Sequence, residues 1–158
     1  MIKHATLFLI ILFSFHTSNS TANRVLTIEA DDILGTYWTA EKDAKVRVFL
    51  ATNGKYSAKT VWMEAPNNPD GSPKLDVNNP NKDLRTRERI GLVFLRYFTF
   101  NEDEQIWEDG TVYDPRSGKT YNGNIRFDGT DKNKLLLRGY IGGMTWLGKT
   151  SEWTRVTE

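Results

Sequence analysis

The chain has 158 residues, a one-domain length, with 21 Lys and Arg against 20 Asp and Glu and no cysteine. Without cysteine there is no disulfide and no lipid anchor on an N-terminal Cys. Both histidines, His4 and His16, fall in a leader expected to be removed, which takes away Ser-His-Asp and Cys-His nucleophilic machinery and metal sites that need imidazole or thiolate.

In chain order, Lys3 is followed by the apolar run Ala5–Phe15, 11 residues and too short to cross a bilayer. Ser20-Thr21-Ala22 then fits a small-x-small cleavage site, so residues 1–22 read as a signal peptide and the mature chain starts near Asn23. This predicts export to the periplasm or the extracellular space, with no transmembrane anchor after removal. Loss of Lys3 balances bases and acids at 20 each, so overall charge gives no reason to expect nucleic acid or an anionic membrane. Residues 23–30 read as a short linker and 31–158 as one β domain. Predicted strands are Ile33–Thr39, Lys45–Ala51, Lys55–Met63 after an Asn53-Gly54 turn, and Ile90–Phe100, apolar on both faces and expected to be the most buried. The acidic turn Asn101–Glu104 leads to Ile106-Trp107 and Thr111–Asp114, and Asp114-Pro115…Gly118 is a type I turn signature. Lys119–Phe127 alternates most clearly; Lys134–Ile141, Met144–Leu147 and Glu152–Thr157 follow. Eight to ten short strands on tight turns predict an all-β antiparallel up-and-down barrel. The segment 65–89 carries four of the five prolines and no strand pattern. It is expected to be an ordered flap pinned by Leu75, Val77 and Leu84, with a disordered insert as the alternative.

Several motifs bear on chemistry. Gly143…Gly148-Lys149-Thr150 matches a phosphate-loop pattern, but such a loop needs a following helix, and the Trp153-Thr154 end favours strand, so a hairpin turn is expected. Arg138 and Tyr140 share a strand face. If it points inward, Arg138 offers a bidentate fork and Tyr140 a hydroxyl to an anionic group, with Arg87 closing from the flap and Asp114 as counter-ion in the empty protein. If Leu135, Leu137 and Ile141 fill the barrel instead, Arg138 faces solvent. Trp62, Trp107, Tyr113 and Tyr121 are candidate pocket aromatics or core. Glu102, Asp103, Glu104, Glu108 and Asp109 read as solvated hairpin charge, the alternative being a Ca²⁺ site or a carboxylate pair with Asp114. Trp153 and Arg155 share a face, and Arg155 stacked on Tyr37 or Trp38 would plug one barrel end.

A longer series resembles a bacterial exported family, the domain of unknown function 2147. It comprises Ile33-Leu34-Gly35 with Tyr37-Trp38; Asp76…Asn79-Pro80…Leu84-Arg85…Arg87; Gly91-Leu92; Trp107…Gly110…Val112-Tyr113-Asp114-Pro115…Gly118-Lys119-Thr120-Tyr121; and Leu137-Arg138-Gly139-Tyr140-Ile141-Gly142…Leu147-Gly148-Lys149-Thr150…Trp153-Thr154-Arg155. The resemblance spans nearly all of 31–156 and implies a lipocalin-like barrel but no activity. Such barrels often show Gly-x-Trp in the first strand; here Tyr37 takes the Trp slot on the face of Gly35 and Trp38 points opposite. The Arg138-x-Tyr140 pair also looks similar to the carboxylate anchor of fatty-acid-binding barrels.

The function these features predict is non-enzymatic binding of a small amphipathic or lipid-like ligand, without a cofactor or metal. The alternatives are a solid-barrel interaction module working through the 76–87 loop with Asp114 and Arg87, and a carboxylate-based envelope hydrolase.

Overall fold

The apolar alternation resolves into eight strands: β1 (Gly35–Trp38), β2 (Ala44–Leu50), β3 (Tyr56–Met63), β4 (Val93–Asn101), β5 (Ile106–Asp114), β6 (Lys119–Asp128), β7 (Asp131–Ile141) and β8 (Met144–Arg155). Each pairs antiparallel with the next and β1 closes on β8, which leaves no crossover. The all-β up-and-down barrel expected from the sequence is the fold observed. The computed structural model describes residues 27–157; the expected signal peptide and its cleavage position lie outside the described residues.

The strands differ from the sequence reading where bulges break the two-residue period. In β4, Leu95 and Phe98 are both buried while Tyr97 between them is 51% exposed, because Tyr97 takes φ +70° and shifts the alternation by one. The opposing strand answers with Asp109 at φ +59°, so Trp107 and Gly110 both face inward. This corrects the expectation that Ile90–Phe100 is the most buried strand: it has one buried face, and Ile90 sits in a turn before it. A bulge between Lys45 and Val46 likewise leaves Trp62 on the outside. β8 is one continuous strand rather than two, since the Gly148-Lys149 stretch read as a break pairs in register with Tyr140 and Gly139.

Ile33 ends a 3₁₀ turn, Ala30–Ile33, rather than starting a strand. That turn and the loops 51–55, 102–105 and 129–130 form one end of the barrel, and this end is closed. Ile28, in the expected linker, joins the core there. Trp107 donates from its indole N–H to the Ala30 carbonyl (3.1 Å) and packs against Phe127, Tyr56 and Phe100, with ring centroids 4.8–6.4 Å apart. Each such ring contributes roughly 1.5–3 kcal/mol by burial. Higher up, Phe98 occupies the space a Cβ at Gly110 would need, and with Val112 it crowds Gly123, so the lower half of the barrel is filled.

Candidate ligand cavity

The other end, formed by loops 39–43, 64–92, 115–118 and 142–143, is open. A cavity of about 940 Å³ descends from it, the size of pockets that hold small ligands. Its apolar wall comes from Val46, Phe94, Val112, Leu137 and Trp153, placed there by strand alternation. The buried members Val46, Leu137 and Trp153 join this wall to the core beneath it. Lys74, Arg89 and Lys149 stand at the rim with Asp43, Asp114 and Glu152. β1 pairs with β8 at only Tyr37↔Arg155 and Trp38↔Thr154. Above that short seam β8 has no β1 partner, and the cavity is bordered there by Thr39–Glu41 on one side and Lys149–Glu152 on the other. A smaller hollow of about 540 Å³ on the barrel flank is lined by Gly35, Lys45, Arg47 and Arg155 and offers little apolar wall beyond Val48 and Val156.

The 64–92 loop is held by a polar cluster. Asp76 is fully buried. Its Oδ1 accepts from the Tyr113 hydroxyl at 2.5 Å, and its Oδ2 accepts from Asn79 Nδ2 at 2.7 Å and Arg87 Nη2 at 2.9 Å. Burial, with the hydrogen bond to and charge of Asp76, pushes the Tyr113 hydroxyl up to about 12. Bridges Asn67↔Pro73 and Leu75↔Glu88, a 3₁₀ turn at Lys82–Leu84 and a bond from Asn78 Nδ2 to the Arg116 carbonyl (2.6 Å) complete the ordering. The apolar side chains expected to pin the loop contribute less, and Val77 is 55% exposed.

The structure separates the residues expected to act together. Arg138, the candidate anchor if its face pointed inward, lies on the strand face opposite buried Leu135 and Leu137, as in the alternative in which the leucines fill the barrel. Its guanidinium crosses Gly148 and donates to the Thr145 carbonyl (2.9 and 2.7 Å) and Thr150 Oγ1 (3.0 Å), bracing the β7–β8 hairpin instead of facing the cavity. Arg87 belongs to the Asp76 cluster. Asp114 borders the cavity but is taken up by its own turn, accepting from Arg116 N (3.0 Å) and Ser117 Oγ (2.7 Å). Burial pushes its carboxyl up, but Ser117 and Arg116 outweigh that and hold it below the ordinary value. Tyr121 and Tyr140 border the cavity; Trp107 lies in the closed end, Tyr113 holds the loop, and Trp62 stacks edge-on against Trp38 outside, 5.4 Å away. The acidic turn 102–104 is at the closed end, remote from Asp114, which excludes a carboxylate pair between them. No group of three metal-ligating side chains occurs among the described residues.

At the closed end the Arg155 guanidinium sits 4.7 Å from the ring centre of fully buried Tyr37, and Gly35 leaves room for it. It donates to the carbonyls of Leu34 (2.8 Å), Asp32 (2.6 Å) and Lys132 (3.2 Å). Burial pushes the Tyr37 hydroxyl up to about 12, opposed by Arg155 and helped by Asp32. Asp32 pairs with Lys132; burial raises its pKa, but Lys132 and the Glu29 amide lower it further than that. Of the aromatics proposed for closure, Tyr37 is under the plug, Trp38 is outside with Lys45 over its ring, and Trp153 lines the cavity. The sequence reading missed Asp76 as the loop's anchor and the mouth residues Phe94, Trp146 and Leu147. Asp76 carries a sequence signal, an acid two residues before Asn78-Asn79-Pro80 within a proline-rich run, but its Tyr113 partner is 37 residues away.

Among curated proteins none matches the chain. A solved structure described as "Protein HP1028 from the human pathogen Helicobacter pylori belongs to the lipocalin family" is similar, with 29% identity and a TM-score of 0.66 over 84% of this chain and 86% of that one. The model of the family described as an uncharacterized protein conserved in bacteria, DUF2147, matches residues 35–155, from the glycine that admits the plug to the arginine that forms it. The chain belongs to the DUF2147 family and carries it on a lipocalin-like barrel.

Proposed function

We propose that the protein is an exported, non-enzymatic carrier that holds a small amphipathic or lipid-like ligand in the open half of its barrel. The observation that carries this reading is the cavity of about 940 Å³, apolar in its depth and charged at its rim. Val46, Val112, Leu137 and Trp153 would cover an apolar tail, and the rim would meet a polar head. The similarity to a lipocalin supports the same reading, and the open upper half argues against a solid interaction module. The buried carboxylate, Asp76, is saturated by Tyr113, Asn79 and Arg87, which favours a structural over a hydrolytic role for it.

The test is native mass spectrometry of the protein purified from its own host envelope. A bound amphiphile is expected, on a chain whose N-terminus starts near Asn23. Val112→Trp, which fills the cavity, should release the ligand while far-ultraviolet circular dichroism is unchanged. A wild-type barrel that carries no added mass and takes up no fluorescent fatty-acyl probe overturns the reading.

A further inference from the structure

The described residues expose nine large hydrophobic side chains, and four of them, Ile141, Met144, Trp146 and Leu147, belong to the tip of the β7–β8 hairpin. Trp146 is 74% exposed. The hairpin stands at the open end, and Ile141, Trp146 and Leu147 also border the cavity, so the exposed apolar surface is continuous with the cavity wall. Monomeric proteins scatter such side chains singly; a cluster marks an interaction site. Val77 and Ile90 are exposed on the long loop of the same end.

The charge around the tip selects its occupant. From Arg138 to Ser151, the stretch that holds the tip, there is no Asp or Glu, while Arg138 and Lys149 lie in it. The Lys149 side chain, at the rim beside the tip, has no hydrogen-bond or ion-pair partner among the described residues. The balanced charge of the whole chain hides this local asymmetry. An exposed Trp with aliphatic neighbours, on a hairpin tip whose own charges are Arg138 and Lys149, suits the boundary between anionic headgroups and acyl chains. A soluble protein partner is a poorer match, because nothing in the patch would match its cationic groups.

We infer that the β7–β8 hairpin tip docks the open end of the barrel onto an anionic lipid bilayer, with Trp146 and Leu147 inserted at the headgroup level. The cavity mouth then faces the membrane, and an amphiphile can pass between bilayer and barrel without crossing water. The docking stands on the exposed hairpin alone; the transfer rests on the carrier reading above.

The purified protein should sediment with vesicles of phosphatidylethanolamine and phosphatidylglycerol, and less at high salt. Brominated acyl chains should quench part of its tryptophan fluorescence, a part that disappears in Trp146→Phe. The double substitution Trp146→Ser, Leu147→Ser should lower the partition by roughly tenfold or more, whereas Leu50→Ser, at the closed end, leaves it unchanged. Val112→Trp should lose ligand yet still dock, so docking and carriage can fail separately. No sedimentation with vesicles, or equal sedimentation of the double variant, overturns the inference. So does a concentration-dependent dimer without lipid that the same double substitution abolishes, since a second copy then covers the tip.

Discussion

Asp76 shows how one buried carboxylate can organise a long loop. A charge out of water is tolerated only when its lone pairs are matched, and here a phenol, an amide and a guanidinium match them. Tyr113→Phe removes one donor and leaves Asp76 Oδ1 without its partner. The variant should lose about 1–3 kcal/mol, and backbone amides between 74 and 90 should exchange faster with solvent while those of β6 and β7 keep their protection. Equal exchange in loop and wild type would mean that Tyr113 is not the anchor. At the other end Arg155 matches three carbonyls at once, and Arg155→Leu should cost roughly 1–3 kcal/mol in chemical denaturation, through part-buried acceptors left without their donor.

At the scale of elements, the paired bulges of β4 and β5 decide where the barrel is filled and where it is hollow. They turn Phe98 inward over Gly110, whose missing side chain is the space the ring occupies, with its edge against Gly123. Gly110→Ala should therefore destabilise by about 1–3 kcal/mol through overpacking, and Phe98→Leu in the same chain should recover part of that loss, a coupling that a double-mutant cycle measures. These elements also mark the limit of what the sequence discloses. Turn residues and alternation were enough to read the barrel, its hairpins and the anomalous 65–89 segment. The bulges were not, because Tyr97 and Asp109 adopt positive φ with no glycine to announce it. Each bulge moves the following side chains to the other face, and this is why Trp62 and the burial of β4 were misread. The sequence left Arg138 open between anchor and outer face for a related reason: Arg-x-Tyr fixes a shared face but not which way that face points, and it is Leu135 and Leu137 that take the interior.

For the molecule as a whole, Tyr37, Tyr56 and Tyr113 are each raised to about 12, in every case first by burial. For Tyr56 and Tyr113 a hydrogen bond to an aspartate adds to it, from Asp31 and Asp76 respectively. In the unfolded chain these phenols titrate near 10, so between about pH 10 and 12 the folded state holds protons the unfolded state has released. Their contribution is complete below pH 10 and lost as the pH rises through 12. The melting temperature should thus fall steeply over that window, and less steeply in Tyr56→Phe and Tyr113→Phe. Asp32 and Asp114, both held below their ordinary values, act with the opposite sign: their contribution is present above about pH 4 and lost as the pH falls through their lowered values.

The two-pair seam between β1 and β8 bears on the order in which the chain folds. Every other strand pairing joins sequence neighbours, and all but β3–β4, which the 64–92 loop separates, do so through a short hairpin that can form locally within microseconds. The seam alone unites segments some 121 residues apart, the separation of the Arg155–Leu34 bond. A chain emerging amino end first can therefore stack hairpin upon hairpin as a curled open sheet, its β1 edge bare, and become a vessel only when β8 arrives. Until then the hollow has no wall on that side. Closure and the acquisition of a container are one event, which makes the slowest kinetic phase of refolding the moment at which capacity for a guest first exists.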